Sequence, residues 1–158
     1  MKRFSFNLTK NSKKQTETPP FWIDMSKLFE LYVFQRLKVL FPAPEAITYH
    51  DRHKGKTETD ILIRAADKQC VVDCKYKPRY GNSSPSLEDK RQLAGYTRQK
   101  SVYDKLSKPY CEVIRGLIIY SHQNTKDLFE IDSLFETSID EYVDFYKLGI
   151  SLPELPLT

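Results

Sequence analysis

Two short stretches decide how this sequence folds: Thr59-Asp60-Ile61-Leu62-Ile63 and Val71-Val72-Asp73-Cys74-Lys75. Both are rich in aliphatic and β-branched residues, which fit a pleated, buried surface. The four residues 65–68 between the predicted strands 59–64 and 69–76 are few enough to make them a hairpin. Strand side chains alternate faces, so Asp73 and Lys75 point one way and Cys74 the other. Asp60, across the hairpin, falls near Asp73. Two carboxylates and an ammonium thereby meet at one end of a sheet.

The flanking sequence supplies the rest of an α/β layout. Before the hairpin, Met25, Leu28, Phe29, Tyr32, Val33, Leu37 and Leu40 recur at three- and four-residue steps, a helical pattern over 24–41. Asp24 is its N-cap, and Pro42 with Pro44 ends it. Residues 46–50 form a weaker strand. After the hairpin come a loop over 78–85 and a long helix over 86–106, opened by Ser86 and Asp89 in capping-box spacing. Residues 112–120 are a strongly apolar strand, 127–131 a short one, and 138–147 an amphipathic helix. This order predicts a central mixed β-sheet flanked by helices. Three segments follow: a basic tail or linker over 1–20, a folded domain over 21–150, and an extended tail over 151–158.

Composition narrows the class. The 158 residues suit one domain, and 40% hydrophobic with 13% aromatic content suits a packed core. Cys70, Cys74 and Cys111 show no zinc-ligand spacing. Cys70 and Cys74 would stand about 13 Å apart along a strand, too far for a disulfide. Reduced thiols, and the lack of any run near the ~20 apolar residues that span a bilayer, predict a cytoplasmic protein without membrane contact. The net charge of +4 is segregated: +4 over 1–20, +6 over 21–120 and −6 over 121–158. That asymmetry suits a protein showing one basic face to phosphates, with the acidic C-terminal segment turned away.

The convergent residues suit metal-assisted phosphodiester hydrolysis. Hard Mg²⁺, or Mn²⁺ in its place, prefers carboxylate and carbonyl oxygens. Asp60, Asp73 and the backbone carbonyl of Cys74 supply them. A lysine beside the ion can orient water or stabilise phosphate charge in the transition state, the role expected of Lys75. A D-x-K triplet alone is common at strand ends. The apolar strand before it and the Asp opening the preceding strand set this one apart. Glu30 lies on a largely apolar helix sector beside Val33, Phe34 and Leu37, so it needs a cation or a donor. A metal and a salt bridge to Lys or Arg both answer that need. Gln92 and Tyr96 share a helix face and can reach the site or the DNA backbone, or stand as a solvent-facing pair. Lys77 and Arg79 after the strand, and Lys90, Arg91, Arg98 and Lys100 on the helix, can track phosphates, and a solvated helix face also explains the helix set.

These residues resemble the PD-(D/E)xK nuclease core, whose order of elements matches. Gln92-Leu93-Ala94-Gly95-Tyr96 resembles the QxxxY motif of the RecB-like branch. The segment from Ile23 through Glu30 to Val33, with Thr59-Asp60-Ile61 and Asp73-Cys74-Lys75-Tyr76-Lys77, is similar to the McrC nuclease domain of McrBC-type restriction systems. The likeness covers roughly 21–120. It departs from the pattern at Thr59, where Pro usually precedes the first Asp. It implies a restriction-endonuclease-like fold and an Mg²⁺-dependent endonuclease acting on double-stranded DNA. The implied metal set is Asp60, Asp73, Cys74 through its carbonyl, and Glu30, with Lys75 catalytic. The likeness also implies an AAA+ GTPase motor subunit as partner, and it allows a homodimer. McrC-type proteins carry an N-terminal motor-binding domain for which this chain has no room, so a fragment or a stand-alone relative is expected. Two other readings remain: a repair or recombination nuclease of the RecB-like branch, and a catalytically silent DNA-binding module.

Overall fold

The computed structural model describes residues 22–52, 58–77, 85–122 and 129–153. The predicted basic tail over 1–20 and Arg79 lie outside them, as does the tail beyond residue 153.

The first helix, α1 (Met25–Leu40), begins where the sequence places it: the Asp24 carboxylate accepts the amides of Ser26 and Lys27. Five strands follow in the order β1 (Ile47–Arg52), β2 (Glu58–Ile63), β3 (Cys70–Lys75), β4 (Arg115–Ser121) and β5 (Phe145–Ile150). They lie in the sheet in that same order. β1–β2 and β2–β3 pair antiparallel, while β3–β4 and β4–β5 pair parallel. The crossover from β3 to β4 is made by α2 (Leu87–Thr97) and α3 (Lys100–Leu106).

The sheet is covered on both faces. Phe29, Val33 and Leu37 of α1 pack with Ile61, Ile63, Val72 and Cys74 on one side. Leu93 of α2 and Val102, Tyr103 and Leu106 of α3 pack with Leu62, Val71 and Ile118 on the other. Strand alternation therefore sends even-numbered residues of β3 toward α1 and odd-numbered ones toward α2. Double coverage also explains why β3 is buried along nearly its whole length, Asp73 included.

Three expectations are corrected. The long helix over 86–106 is two helices. Arg98 caps α2, and Gln99, in extended conformation, opens α3. The break re-aims the chain so that Val102, Tyr103 and Leu106 reach the core. Residues 138–147 are not a helix: Ser138 bridges Tyr146, the Ile139 amide donates to the Phe145 carbonyl, and Phe145 opens β5. The apolar spacing there serves a turn and an edge strand, whose ladder with β4 outweighs the helical period. A 3-10 helix, Asp132–Phe135, precedes that turn, and residues 129–131 are irregular rather than a strand.

Candidate active site

The register of the hairpin brings the two aspartates together. Ile61 pairs with Val72 and Leu62 with Val71. One step further, Asp60 falls opposite Asp73. There the pairing gives way to a side-chain contact: the Cys74 amide donates to Asp60 Oδ2 at 2.8 Å. Asp73 projects toward α2 and is fully buried.

Lys75, two residues on, shares that face. Its Nζ donates to Asp73 Oδ1 at 3.0 Å and to Gln92 Oε1 at 2.8 Å. The Gln92 amide nitrogen in turn donates to the Tyr96 hydroxyl at 2.7 Å. Strand and helix are thus joined by one chain, Asp73 to Lys75 to Gln92 to Tyr96. The i, i+4 spacing of Gln92 and Tyr96 puts both on the face of α2 that looks at the strand. Helix and sheet approach closely here: a Cβ on Gly116 of β4 would meet Leu93 Cδ2 at 2.8 Å, so any larger residue would displace the Leu93 side chain.

Burial dominates the electrostatics. Asp73 is pushed up to about 7, first by desolvation and then by Asp60, against the pull of Lys75. Burial opposes the charge of Lys75, but Asp73 and the other carboxylates outweigh it and hold its pKa above the ordinary lysine range. Glu30, on α1, is raised by burial and then by the charge of Asp60, while Lys27 pulls it down. The charge of Asp60 thus acts on both Glu30 and Asp73.

Glu30 has a cationic partner on its own helix. Lys27 Nζ and the Tyr49 hydroxyl each stand 3.5 Å from Glu30 Oε2. Cys74 is more than a backbone. Its side chain is buried in the core under α1, with the thiol pKa pushed up by burial.

Among the described residues, no three His, Cys, Asp or Glu side chains converge tightly enough to cage an ion. Two features of the site nonetheless fit a hard divalent cation. The donors are carboxylate oxygens. Asp73 Oδ2, 2.9 Å from Lys75 Nζ, has no hydrogen bond despite complete burial. The Lys75 ammonium offsets only part of that cost, since the Asp73 carboxyl stays raised against its pull, and a divalent cation would offset more. The two other buried oxygens without hydrogen-bond partners among the described residues belong to Thr59, next to Asp60, and Ser121, which ends β4. All three therefore lie at this end of the sheet.

The basic rim is smaller than expected. Lys77 is exposed but donates twice to Asp89, at 2.8 and 2.9 Å. Lys90 is buried and paired at 2.8 Å with Glu141, a member of the acidic C-terminal segment expected to lie elsewhere. Arg98 is engaged by the Tyr103 hydroxyl at 2.8 Å. Arg91 and Lys100 stay exposed. Asp89, a buried carboxylate beside the site, escaped the sequence reading because it looked like a helix cap. It does sit on the Ser86 cap, yet its side chain reaches back to the strand exit.

A mixed sheet in this order, with helices on both faces and two aspartates and a lysine at its central strand's exit, is a restriction-endonuclease-like α/β core. A chain of a solved structure, the refined half-complex from the tetradecameric assembly of Thermococcus gammatolerans McrB AAA+ hexamers with bound McrC, shares the fold. It matches with a TM-score of 0.50 and 21% identity, over 83% of this chain and 28% of that one. This chain therefore spans little more than a quarter of that chain's length. No curated protein matches the sequence. The McrBC 5-methylcytosine restriction system component family matches residues 6–107, most of the chain, and the protein belongs to that family. No helix among the described residues is long and apolar enough to cross a membrane.

Proposed function

We propose that this domain is a metal-dependent DNA endonuclease, the cleavage component of a McrBC-like restriction system. The observation that carries the reading is the bonded chain from Asp73 through Lys75 and Gln92 to Tyr96, anchored on a fully buried carboxylate. In this reading Asp60, Asp73, Glu30 and the Cys74 carbonyl hold Mg²⁺ or Mn²⁺. When bound, the ion polarises the scissile phosphate and acidifies the attacking water. Lys75 orients that water and offsets charge developing on the phosphate. Gln92 keeps the ammonium aimed at the site, and Tyr96 holds the Gln92 amide in the one orientation that presents its oxygen to Lys75. Lys77 and Arg79 meet the backbone of double-stranded DNA.

The partner in this reading is an AAA+ GTPase motor, by analogy with the McrC bound to McrB AAA+ hexamers in the related structure. The test is plasmid nicking in Mg²⁺ and in Mn²⁺, with and without a motor subunit added. Wild type is expected to cut. Lys75→Ala is expected to bind DNA and not cut, because binding rests on many phosphate contacts and cleavage on one site. Equal cutting by Lys75→Ala overturns the assignment. Binding without cutting by wild type, with both metals and the motor present, supports the silent-module reading instead.

A further inference from the structure

The chemistry above leaves one buried carboxylate at the site unused. Asp89 lies in the first turn of α2, and its side chain is 4% exposed. It accepts two hydrogen bonds from Lys77 and one from the Ser86 hydroxyl. Its Oδ1 also stands 3.9 Å from Lys75 Nζ. The same ammonium is 2.9 Å from Asp73 Oδ2. One largely buried positive charge therefore faces two buried carboxylates, Asp73 on the strand and Asp89 on the helix, and rests on the nearer.

That arrangement matters once a cation arrives. A divalent ion and the ammonium would compete for the oxygens of Asp73, and like charges at such separation repel strongly where water is scarce. Lys75 cannot simply be expelled, because a largely buried ammonium without an anion is costly. Gln92 offers it only a neutral acceptor. Asp89 offers a full charge about an ångström beyond contact distance, and it already contributes to holding Lys75 protonated.

We propose that Asp89 is a positioning residue for Lys75, the second anion that holds the ammonium at the site when the Asp73 carboxylate is engaged by a divalent cation. The inference rests on the metal-dependent reading above. It predicts that Asp89 favours metal binding without being a ligand, and does so only through Lys75.

The test is calorimetric titration of the DNA-free protein with Mn²⁺. Asp89→Asn is expected to weaken Mn²⁺ affinity about tenfold, the size of a coupling between contacting groups. In a Lys75→Ala background the same change is expected to move affinity less than about twofold. Lys77→Ala removes the competing partner of Asp89 and is expected to leave affinity unchanged or tighter, whereas a role confined to the Lys77 bridge would make it mimic Asp89→Asn. An Asp89→Asn effect that persists in Lys75→Ala overturns the inference alone, since it makes Asp89 a direct attractor of the ion. A wild type that binds no Mn²⁺ overturns the metal-dependent reading and the inference with it. Should Asp89→Asn fail to fold, a crystal structure of the wild type with Mn²⁺ decides. Lys75 Nζ within about 3.2 Å of Asp89 supports the inference, and an ammonium still on Asp73 refutes it.

Discussion

Replacing Asp73 by Asn should stabilise the metal-free protein at neutral and higher pH. The carboxyl's ordinary value is 3.8, and in the folded chain it is pushed up to about 7, with the attraction of Lys75 already counted. The gap is about 3 units, worth 1.36 kcal/mol each, so ionised Asp73 costs the fold on the order of 4 kcal/mol. Because the folded value lies above the unfolded one, this cost is absent below about pH 4. It grows as pH rises and is complete above about pH 7. Asn resembles the neutral acid, so Asp73→Asn should escape it, with Asp89 and Gln92 left to hold the Lys75 ammonium. A gain of about 2–4 kcal/mol at pH 8 corresponds to roughly 5–12 °C in Tm for a domain of this size. The assay is thermal and urea unfolding between pH 5.5 and 8.5, in chelator and then in Mn²⁺. In chelator, wild-type stability should fall with pH more steeply than that of Asp73→Asn. In Mn²⁺ the wild type should recover and the variant should not, since binding to the native state alone adds stability. Parallel pH slopes for the two proteins, or a variant less stable than wild type at pH 8 in chelator, would refute the reasoning.

Other outcomes follow from single contacts. Gly116→Ala places a methyl within 2.8 Å of Leu93, so it should cost about 1–3 kcal/mol in urea unfolding and lift α2 from the sheet, with a loss of cleavage beyond the loss of stability. Cys74→Ser puts a hydroxyl into the core under α1 and should cost about 1–3 kcal/mol, yet leave cleavage near wild type well below the melting temperature. Tyr96→Phe removes the acceptor that holds the Gln92 amide, so kcat should fall while DNA affinity changes little; an equal fall in affinity would assign Tyr96 to DNA contact instead. DNA affinity should drop steeply with salt, with a slope that Lys77→Ala lessens by up to about one; because Lys77 is bound to Asp89, an unchanged slope would show it is not a phosphate contact.

The nuclease-like core was legible because its signals are local. Asp24 before an apolar helical repeat, two aliphatic strands four residues apart, and Asp73 and Lys75 two residues apart each depend on backbone period alone. The same period put Gln92 and Tyr96 on one helix face. What the sequence could not decide is whatever depends on competition between distant partners. Residues 138–147 carry apolar spacing that a helix and a turn with an edge strand both satisfy, and only the ladder of β5 with β4 selects the strand. The break at Arg98 has no proline to announce it; it follows from where α3 must bury Val102, Tyr103 and Leu106. Charge was the least legible. Lys77 read as a phosphate contact, Lys90 as a phosphate contact or part of a solvated helix face and Asp89 as a cap, but folding pairs Lys77 with Asp89 and Lys90 with Glu141, fifty-one residues away. Sequence determined which ionisable groups this domain carries and which strand face they share. Tertiary structure alone decided how deeply each is buried and which opposite charge it meets, because desolvation and pairing arise only when the helices close over the sheet.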